Sequence, residues 1–167
     1  AKGWKNKKHA AQWLTTLKPF ALLFGGNVRG PYCCTQACLP HLAASAKAGR
    51  NPHVLTMSPP LSMREHWFAS HTAYTMAKYG MSMCTLGMSE ELRELGIAVN
   101  SLWPRTTIAT AAVEVHFPEA ILRASRKAEI MADAAHLILT RDARKNTGNF
   151  HIDEDGQKKS GAKACAR

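Results

Sequence analysis

The sequence of 167 residues predicts an α/β fold, with a parallel sheet flanked by helices. Three short apolar stretches have the composition of buried strands, and longer segments with helical spacing of apolar residues separate them. Parallel neighbours need crossovers of this length, whereas antiparallel neighbours can be joined by short turns. The chain fits a single domain that is large enough to bury a core.

The beginning of the chain is its least regular part. A short helix is predicted over residues 9–18 and should end at Pro19, and two glycines close the apolar run 20–24. We expect residues 1–25 to form a divergent N-terminal segment ahead of the main domain, which covers residues 26–156.

The first predicted helix of the main domain covers residues 27–48 and contains mainly small and apolar side chains. Pro31 suits its first turn, whereas Pro40 lies in its interior and should kink it. A turn over residues 49–52 leads to the first strand, 53–57, whose β-branched and apolar residues indicate burial. The helix should place four residues in the core: Tyr32, Ala37, Leu39 and Leu42.

The longest predicted helix follows a loop that begins with Ser58 and two prolines. It covers residues 71–95, and Gly96 suits the position after its end. Tyr74 and Lys78 are four residues apart, so their side chains share one face of the helix and can converge on one point. Apolar residues at helical spacing predict a buried stripe of Met76, Tyr79, Met83, Leu86 and Leu92.

The remaining part of the chain supplies two more strands and one more long helix. The second strand is predicted over residues 97–103 and should end at the following proline, and a loop with a small helix is expected over 106–117. An amphipathic helix is predicted over 126–140 and the third strand over 149–152. The basic tail 157–167 should be disordered because it lacks the apolar residues of a packed segment.

The formal net charge of +10 is concentrated at the two ends of the chain. Residues 1–8 and 158–167 contain eight of the 22 basic residues and none of the 12 acidic ones, which leaves the body at +2. A nucleic-acid-binding groove would place its charge on a folded face, so nucleic acid is not the expected main partner. Trp4 and Trp13 beside the basic arm keep that alternative open. No apolar run reaches the roughly 18–20 residues of a membrane span.

The five cysteines do not indicate a metal site. Cys33, Cys34, Cys38, Cys84 and Cys165 form an odd set without the paired spacing of zinc ligands. We expect them to be reduced thiols in an intracellular compartment, and we expect no bound metal.

Four motifs in order resemble the short-chain dehydrogenase/reductase family. YTMAK over residues 74–78 matches its YxxxK motif, and Asn27 in NVRG is similar to its structural and catalytic asparagine. Residues 100–110 resemble its nicotinamide loop, and residues 147–156 resemble its closing TGxxxxVDGG motif. YxxxK alone is a weak signal, whereas four elements in the right order are specific. A closer resemblance to one member of the family covers about residues 27–156.

The resemblance implies hydride transfer between a carbonyl or alcohol and NADP or NAD. Tyr74 would be the acid/base, and Lys78 would lower the pKa of Tyr74 and bind the nicotinamide ribose. Asn27 would hold a water that relays protons to Lys78, and Ser58 would hydrogen-bond the substrate oxygen. Further cofactor contacts would come from Pro104 and the backbone after it, Thr107 and Thr110.

The serine assignment has two alternatives. Ser58 lies farther from Tyr74 than the corresponding serine usually does in the family, so Pro59 could occupy the serine position. Ser62 is then the substitute hydroxyl.

The resemblance also indicates that part of the family's domain is missing. Its dinucleotide site needs a Gly-rich turn between a strand and a helix, and no such unit precedes GGNVRG at residues 25–30. We expect a partial Rossmann-like sheet of the last three strands, with poor cofactor affinity in this chain alone and an exposed edge at strand 53–57. The chain could be the catalytic half of an oxidoreductase, a non-catalytic degenerate subunit or scaffold, or a basic-armed RNA-associated protein.

The expected partners follow from the same resemblance. Apolar residues in loops 59–70 and 106–126 suit a lipid, sterol or fatty-acyl substrate. Helices 27–48 and 71–95 would form a homo- or hetero-oligomer, as they do in the family. A peroxisomal or mitochondrial location is implied, although the C-terminal residues CAR are not a peroxisomal signal.

Overall fold

The computed structural model describes residues 17–69 and 71–154. Its strands form one parallel sheet in the order β1 (His53–Thr56), β2 (Ala98–Trp103) and β3 (Phe150–Ile152). The predicted α/β class with a three-stranded parallel sheet and flanking helices is confirmed. Each strand lies within one residue of its predicted bounds because short apolar runs between turn residues define strands locally.

Six α-helices accompany the sheet in the part of the chain that the structure describes. None of them is both long and apolar enough to cross a membrane. In chain order they are α1 (Leu17–Phe24), α2 (Gly30–Lys47), α3 (Thr72–Glu91), α4 (Ala111–His116), α5 (Glu119–Ala124) and α6 (Glu129–Leu139).

The segment before β1 differs from the prediction. Helix α1 passes through a π turn, Gly25–Arg29, directly into α2, so the two glycines do not close the apolar run. Pro19 lies in the first turn of α1, where its missing N–H costs no helical hydrogen bond. Pro40 lies inside α2, and the helix continues through it. Most of the helix predicted over 9–18 lies outside the described residues.

The core has one apolar cluster on each face of the sheet. On one face, Met88 of α3 and Leu92, the residue after that helix, pack with Ala46 of α2 and with Val99 of β2. On the other face, α6 packs on Leu102. Leu39 and Leu42 contact the first cluster as predicted, whereas Tyr32 and Ala37 are exposed and were wrongly predicted as core.

The buried stripe predicted for α3 is only partly correct. Tyr79 and Leu92 are buried, but Met76, Met83 and Leu86 are exposed. Helix α3 lies close to the sheet and to the π turn, where small and hydroxyl side chains fit. Hydrogen bonds satisfy those hydroxyls, whereas Met76, Met83 and Leu86 lie on the exposed side of the helix. The residues buried on the sheet side include Thr75, Ala77, Ser82, Thr85 and Ser89.

Gly80 allows α3 to approach the π turn. A Cβ atom built at Gly80 would lie 2.6 Å from Cγ2 of Val28, whereas one at Gly87 in the same helix would meet open space. We therefore expect Gly80→Ala to lower the free energy of unfolding by about 1–3 kcal/mol. Gly87→Ala should raise it by up to about 1 kcal/mol because alanine is the better helix former. Urea unfolding of both variants measures the difference.

A double variant tests the cause of the Gly80 effect. Adding Val28→Ala to Gly80→Ala removes the methyl group in the way, so the double variant should be more stable than the two separate losses predict. If the two losses in the free energy of unfolding simply add, a clash with Val28 is not the cause of the Gly80→Ala effect.

Candidate active site

A cavity of about 550 Å³ opens at the carboxyl ends of β1 and β2. One wall is the loop after β1, another is the N-terminal half of α3, and a third is the segment that follows β2. The lining is mainly apolar, with two indole rings, Trp67 and Trp103, among its side chains. Carboxyl ends of parallel strands are the usual position of ligand sites in α/β sheets.

Tyr74 and Lys78 both line this cavity. Their spacing of one helical turn brings the Lys78 Nζ to 6.0 Å from the centre of the Tyr74 ring. The ammonium donates a hydrogen bond to the carbonyl oxygen of Met57 at 3.2 Å. Because Met57 directly follows β1, this bond joins α3 to the end of the strand.

Burial changes the pKa of both groups. It raises the pKa of the Tyr74 phenol above its ordinary value and lowers the pKa of the Lys78 ammonium, because each charged form is partly removed from water. The net shift of the Tyr74 pKa is therefore opposite to the lowered pKa that the sequence predicted, because desolvation of the phenol dominates when the ammonium is 6.0 Å from the ring centre.

Ser58 lies away from the cavity. It is fully buried, and its hydroxyl is 3.2 Å from that of Thr56. The next residue, Pro59, does line the cavity, and its carbonyl oxygen accepts a hydrogen bond from Ser82 at 2.7 Å. Ser62 also lines the cavity, so its hydroxyl can reach a ligand there.

Asn27 lies in the π turn between α1 and α2. Its side-chain amide donates to the carbonyl oxygen of Leu23 at 2.9 Å. The next residue, Val28, packs against Gly80 of α3, which places the π turn beside the helix that carries Lys78. Asn27 is not among the residues that line the cavity.

The predicted cofactor contacts after β2 divide into two groups. Pro104 lines the cavity, whereas Thr107 and Thr110 are exposed outside it. The hydroxyl of Thr107 accepts a hydrogen bond from that of Ser125 at 2.8 Å, and Thr110 precedes α4. The chain turns away from the cavity after Arg105 because residue 108 pairs with residue 126 in a separate bridge.

Two features of the site were not predicted. Trp103, the last residue of β2, lies with its ring centre 5.5 Å from the Lys78 Nζ. Arg126 binds Asp153 and Glu154 after β3, and the Arg105 guanidinium also binds Glu154. A tryptophan directly before a strand-ending proline was the available signal for the first feature. The second joins residues far apart in sequence and left no local signal.

The residues around the cavity fit the nicotinamide-ribose part of a dinucleotide. A phenol and an ammonium can hydrogen-bond the two hydroxyls of a ribose, and Trp103 and Pro104 offer an apolar wall for a flat ring. In residues 17–69 and 71–154, no strand leads through a Gly-rich turn into a helix, and Gly25 and Gly26 lie inside the π turn. The adenine part therefore has no such binding turn in this portion of the chain.

Comparison with known proteins gives consistent results. The family model described as short chain dehydrogenase matches residues 6–119, which include much of the N-terminal segment expected to diverge. Hydroxysteroid dehydrogenase-like protein 2 of Danio rerio is 50% identical over 149 residues, covering 89% of this chain and 34% of the relative. The chain thus spans about a third of that relative's length.

Solved structures show the same fold. A short chain dehydrogenase from Mycobacterium thermoresistibile is 48% identical with a TM-score of 0.77, and the match covers 89% of this chain and 51% of the other. Angucycline C-6 ketoreductase LanV, solved with bound NADP, has a TM-score of 0.65 at 19% identity, covering 85% and 55%. The second likeness shows the fold alone.

Proposed function

The chain belongs to the short chain dehydrogenase family, and on that premise we propose that it carries the catalytic residues of an NAD(P)-dependent oxidoreductase. The reaction is the interconversion of an apolar alcohol and its carbonyl compound. The observation that carries this proposal is the position of Tyr74 and Lys78, which line one apolar cavity at the carboxyl ends of β1 and β2.

Proton transfer is the task of Tyr74. In the reducing direction its hydroxyl gives a proton to the substrate oxygen, and in the oxidising direction the phenolate takes the proton of the alcohol. A bound nicotinamide would supply or accept the hydride. The nearby Lys78 ammonium stabilises the phenolate when it forms, and while one of its N–H groups is bound to the Met57 carbonyl the other two can bind ribose hydroxyls.

Two further residues have supporting roles in this proposal. Ser62 donates a hydrogen bond to the substrate oxygen, since it lines the cavity and Ser58 does not. Asn27 relays protons through water to Lys78. The packing of its neighbour Val28 against Gly80, two residues beyond Lys78, supports that role.

The substrate class follows from the walls of the cavity. Leu61, Trp67, Tyr79 and Ile152 surround a volume of about 550 Å³, which suits a rigid or chain-like apolar molecule. The name of the Danio rerio relative points to hydroxysteroids. We propose a lipid, sterol or fatty-acyl carbonyl compound as the substrate, with NADP or NAD as the cofactor; NADP is the cofactor bound to LanV.

The direct test is oxidation of NADPH or NADH by the purified chain with three ketones, at saturating cofactor because this chain alone is expected to bind the dinucleotide poorly. A steroid ketone and a long-chain aliphatic ketone should be reduced, whereas acetoin, a small polar ketone, should not. Saturable cofactor binding without turnover of any apolar ketone would contradict the catalytic proposal and favour a degenerate subunit.

The pH dependence of the same assay follows from the raised pKa of Tyr74. The phenol is the proton donor in reduction, so the reduction rate should stay level through neutral pH and fall only above the ordinary tyrosine pKa of about 10. Alcohol oxidation needs the phenolate, so its rate should rise over the pH range in which the rate of reduction falls. A reduction rate that fell between pH 6 and 8 would show that another group controls proton transfer.

An assembly role is the second candidate function, because helices α2 and α3 expose apolar side chains. Tyr32, Met76, Met83 and Leu86 are 44–60% exposed, and Met76 and Met83 lie two turns apart on one face of α3. We propose that the exposed apolar residues of α2 and α3 form a surface that pairs with a second copy or a related subunit. Met83→Glu should then lower the mass seen by analytical ultracentrifugation. An unchanged mass would contradict pairing through this face.

The RNA-associated alternative depends on residues 1–8 and 158–167, which lie outside the described residues. No feature of residues 17–69 and 71–154 favours it.

A further inference from the structure

Lys78 lacks an acidic partner in the described part of the chain. Its ammonium contacts the Met57 carbonyl at 3.2 Å, and no aspartate or glutamate there forms an ion pair with it. Two aromatic rings also lie near the ammonium. The ring centres of Trp103 and Tyr74 lie 5.5 Å and 6.0 Å from Nζ.

A tryptophan ring can replace an acidic partner in this position. The face of an indole attracts a cation more strongly than the other aromatic side chains do, and the attraction grows when the pair is partly removed from water. Lysine has a flexible four-carbon stem, so its ammonium takes the position that its surroundings select. The rigid end of β2 holds the Trp103 backbone, and Pro104 follows it.

We infer that Trp103 is a positioning residue, and that its indole face holds the Lys78 ammonium at the cavity wall, between the Met57 carbonyl and Tyr74. The sheet register supports this geometry. Thr56 pairs with Ser101, so Met57 and Trp103 emerge from neighbouring strands at the same edge. The catalytic meaning of this position rests on the proposed function, whereas the contact itself does not.

The experiment measures the proton affinity of Lys78 in the full chain without cofactor or substrate. Trace acetylation with acetic anhydride is carried out over a range of pH, and mass spectrometry follows the peptide that contains Lys78. The readout is the pH midpoint of the labelling, because the rate alone also depends on access of the reagent. Exposed Lys47 in the same digest is the internal reference.

Three variants separate the contact from general packing. Trp103→Leu keeps an apolar side chain but removes the ring, Trp103→Phe keeps a ring with a weaker face, and Trp67→Leu removes the other indole of the cavity. We expect Trp103→Leu to lower the Lys78 midpoint by about one unit, a tenfold change in proton affinity. Trp103→Phe should lower it less, and Trp67→Leu should leave it unchanged.

Two outcomes would overturn the inference. One is a Lys78 midpoint that stays the same or rises in Trp103→Leu, and the other is an equal shift in Trp67→Leu. If Trp103→Leu does not fold by circular dichroism, Trp103→Phe decides the question, and an unchanged midpoint there would overturn the inference too.

The result is also independent of the proposed chemistry. A lowered midpoint together with no ketone reduction by the unchanged chain would support the role of Trp103 and refute the oxidoreductase proposal. Where turnover is seen, Trp103→Leu should raise the KM for the cofactor more than it lowers kcat. The reason is that the Lys78 ammonium is the group proposed to bind the ribose, and the variant displaces it. Trp103→Phe should recover part of that loss.

Discussion

Tyr74→Phe should lower kcat for ketone reduction by about 10²–10⁴-fold, because it removes the general acid and little else. In the described residues the Tyr74 hydroxyl forms no hydrogen bond, so its loss leaves no buried group without a partner. The phenylalanine ring keeps its place beside the Lys78 ammonium. The thermal unfolding midpoint should therefore stay within error of the unchanged chain.

Tyr79→Phe is the matched control for this prediction. Tyr79 lines the same cavity from the same helix, is buried and packs edge-on against Phe68 at 5.3 Å between ring centres. Removing its hydroxyl preserves that contact and should leave kcat nearly unchanged. If Tyr74→Phe keeps the full rate, or if Tyr79→Phe loses as much, then Tyr74 is not the acid.

Arg126→Met should lower the free energy of unfolding by about 3–5 kcal/mol, the usual effect of breaking a buried ion pair. The Arg126 guanidinium binds Asp153 at 2.5 Å and Glu154 at 2.8 Å. Asp153 is fully buried, and its remaining partners are the backbone N–H groups of residues 105 and 154. Without Arg126, a buried carboxylate loses the cation that balances it.

Urea unfolding measures this loss, and Arg123→Met provides the matched control. Arg123 and Glu119 form an exposed ion pair at 3.6 Å, which should contribute less than about 1 kcal/mol. Adding Asp153→Asn to Arg126→Met removes the unbalanced charge and should recover part of the stability. Equal effects of Arg126→Met and Arg123→Met would show that the buried pair has no special weight.

The ion pairs of Arg126 and Arg105 with Asp153 and Glu154 also support one side of the cavity. They join the segment after β2 to the end of β3, and Arg105 and Ile152 both line the cavity. Loosening them should therefore weaken ligand binding as well as folding. The interaction connects three separate parts of the chain, and no spacing in the sequence indicates which arginine and which aspartate meet.

Local patterns determined much of this protein. Apolar runs between turn residues defined the three strands, and the separation of Tyr74 from Lys78 placed both on one helix face, because neighbouring residues alone set these features. Both long helices were also predicted, although α2 begins three residues after its predicted start and α3 ends four residues before its predicted end.

Only the tertiary structure decided which face of each helix is buried and which polar groups reach the cavity. Thr85 is buried because it faces β1, where its hydroxyl is 2.7 Å from that of Thr56, whereas Met83 lies on the exposed face of α3. The parallel register of β1 and β2 places Ser58 in the core and brings the Trp103 ring near the Lys78 ammonium. Such contacts join residues distant in sequence, so their energies are set by packing across the fold and leave no periodic pattern along the chain.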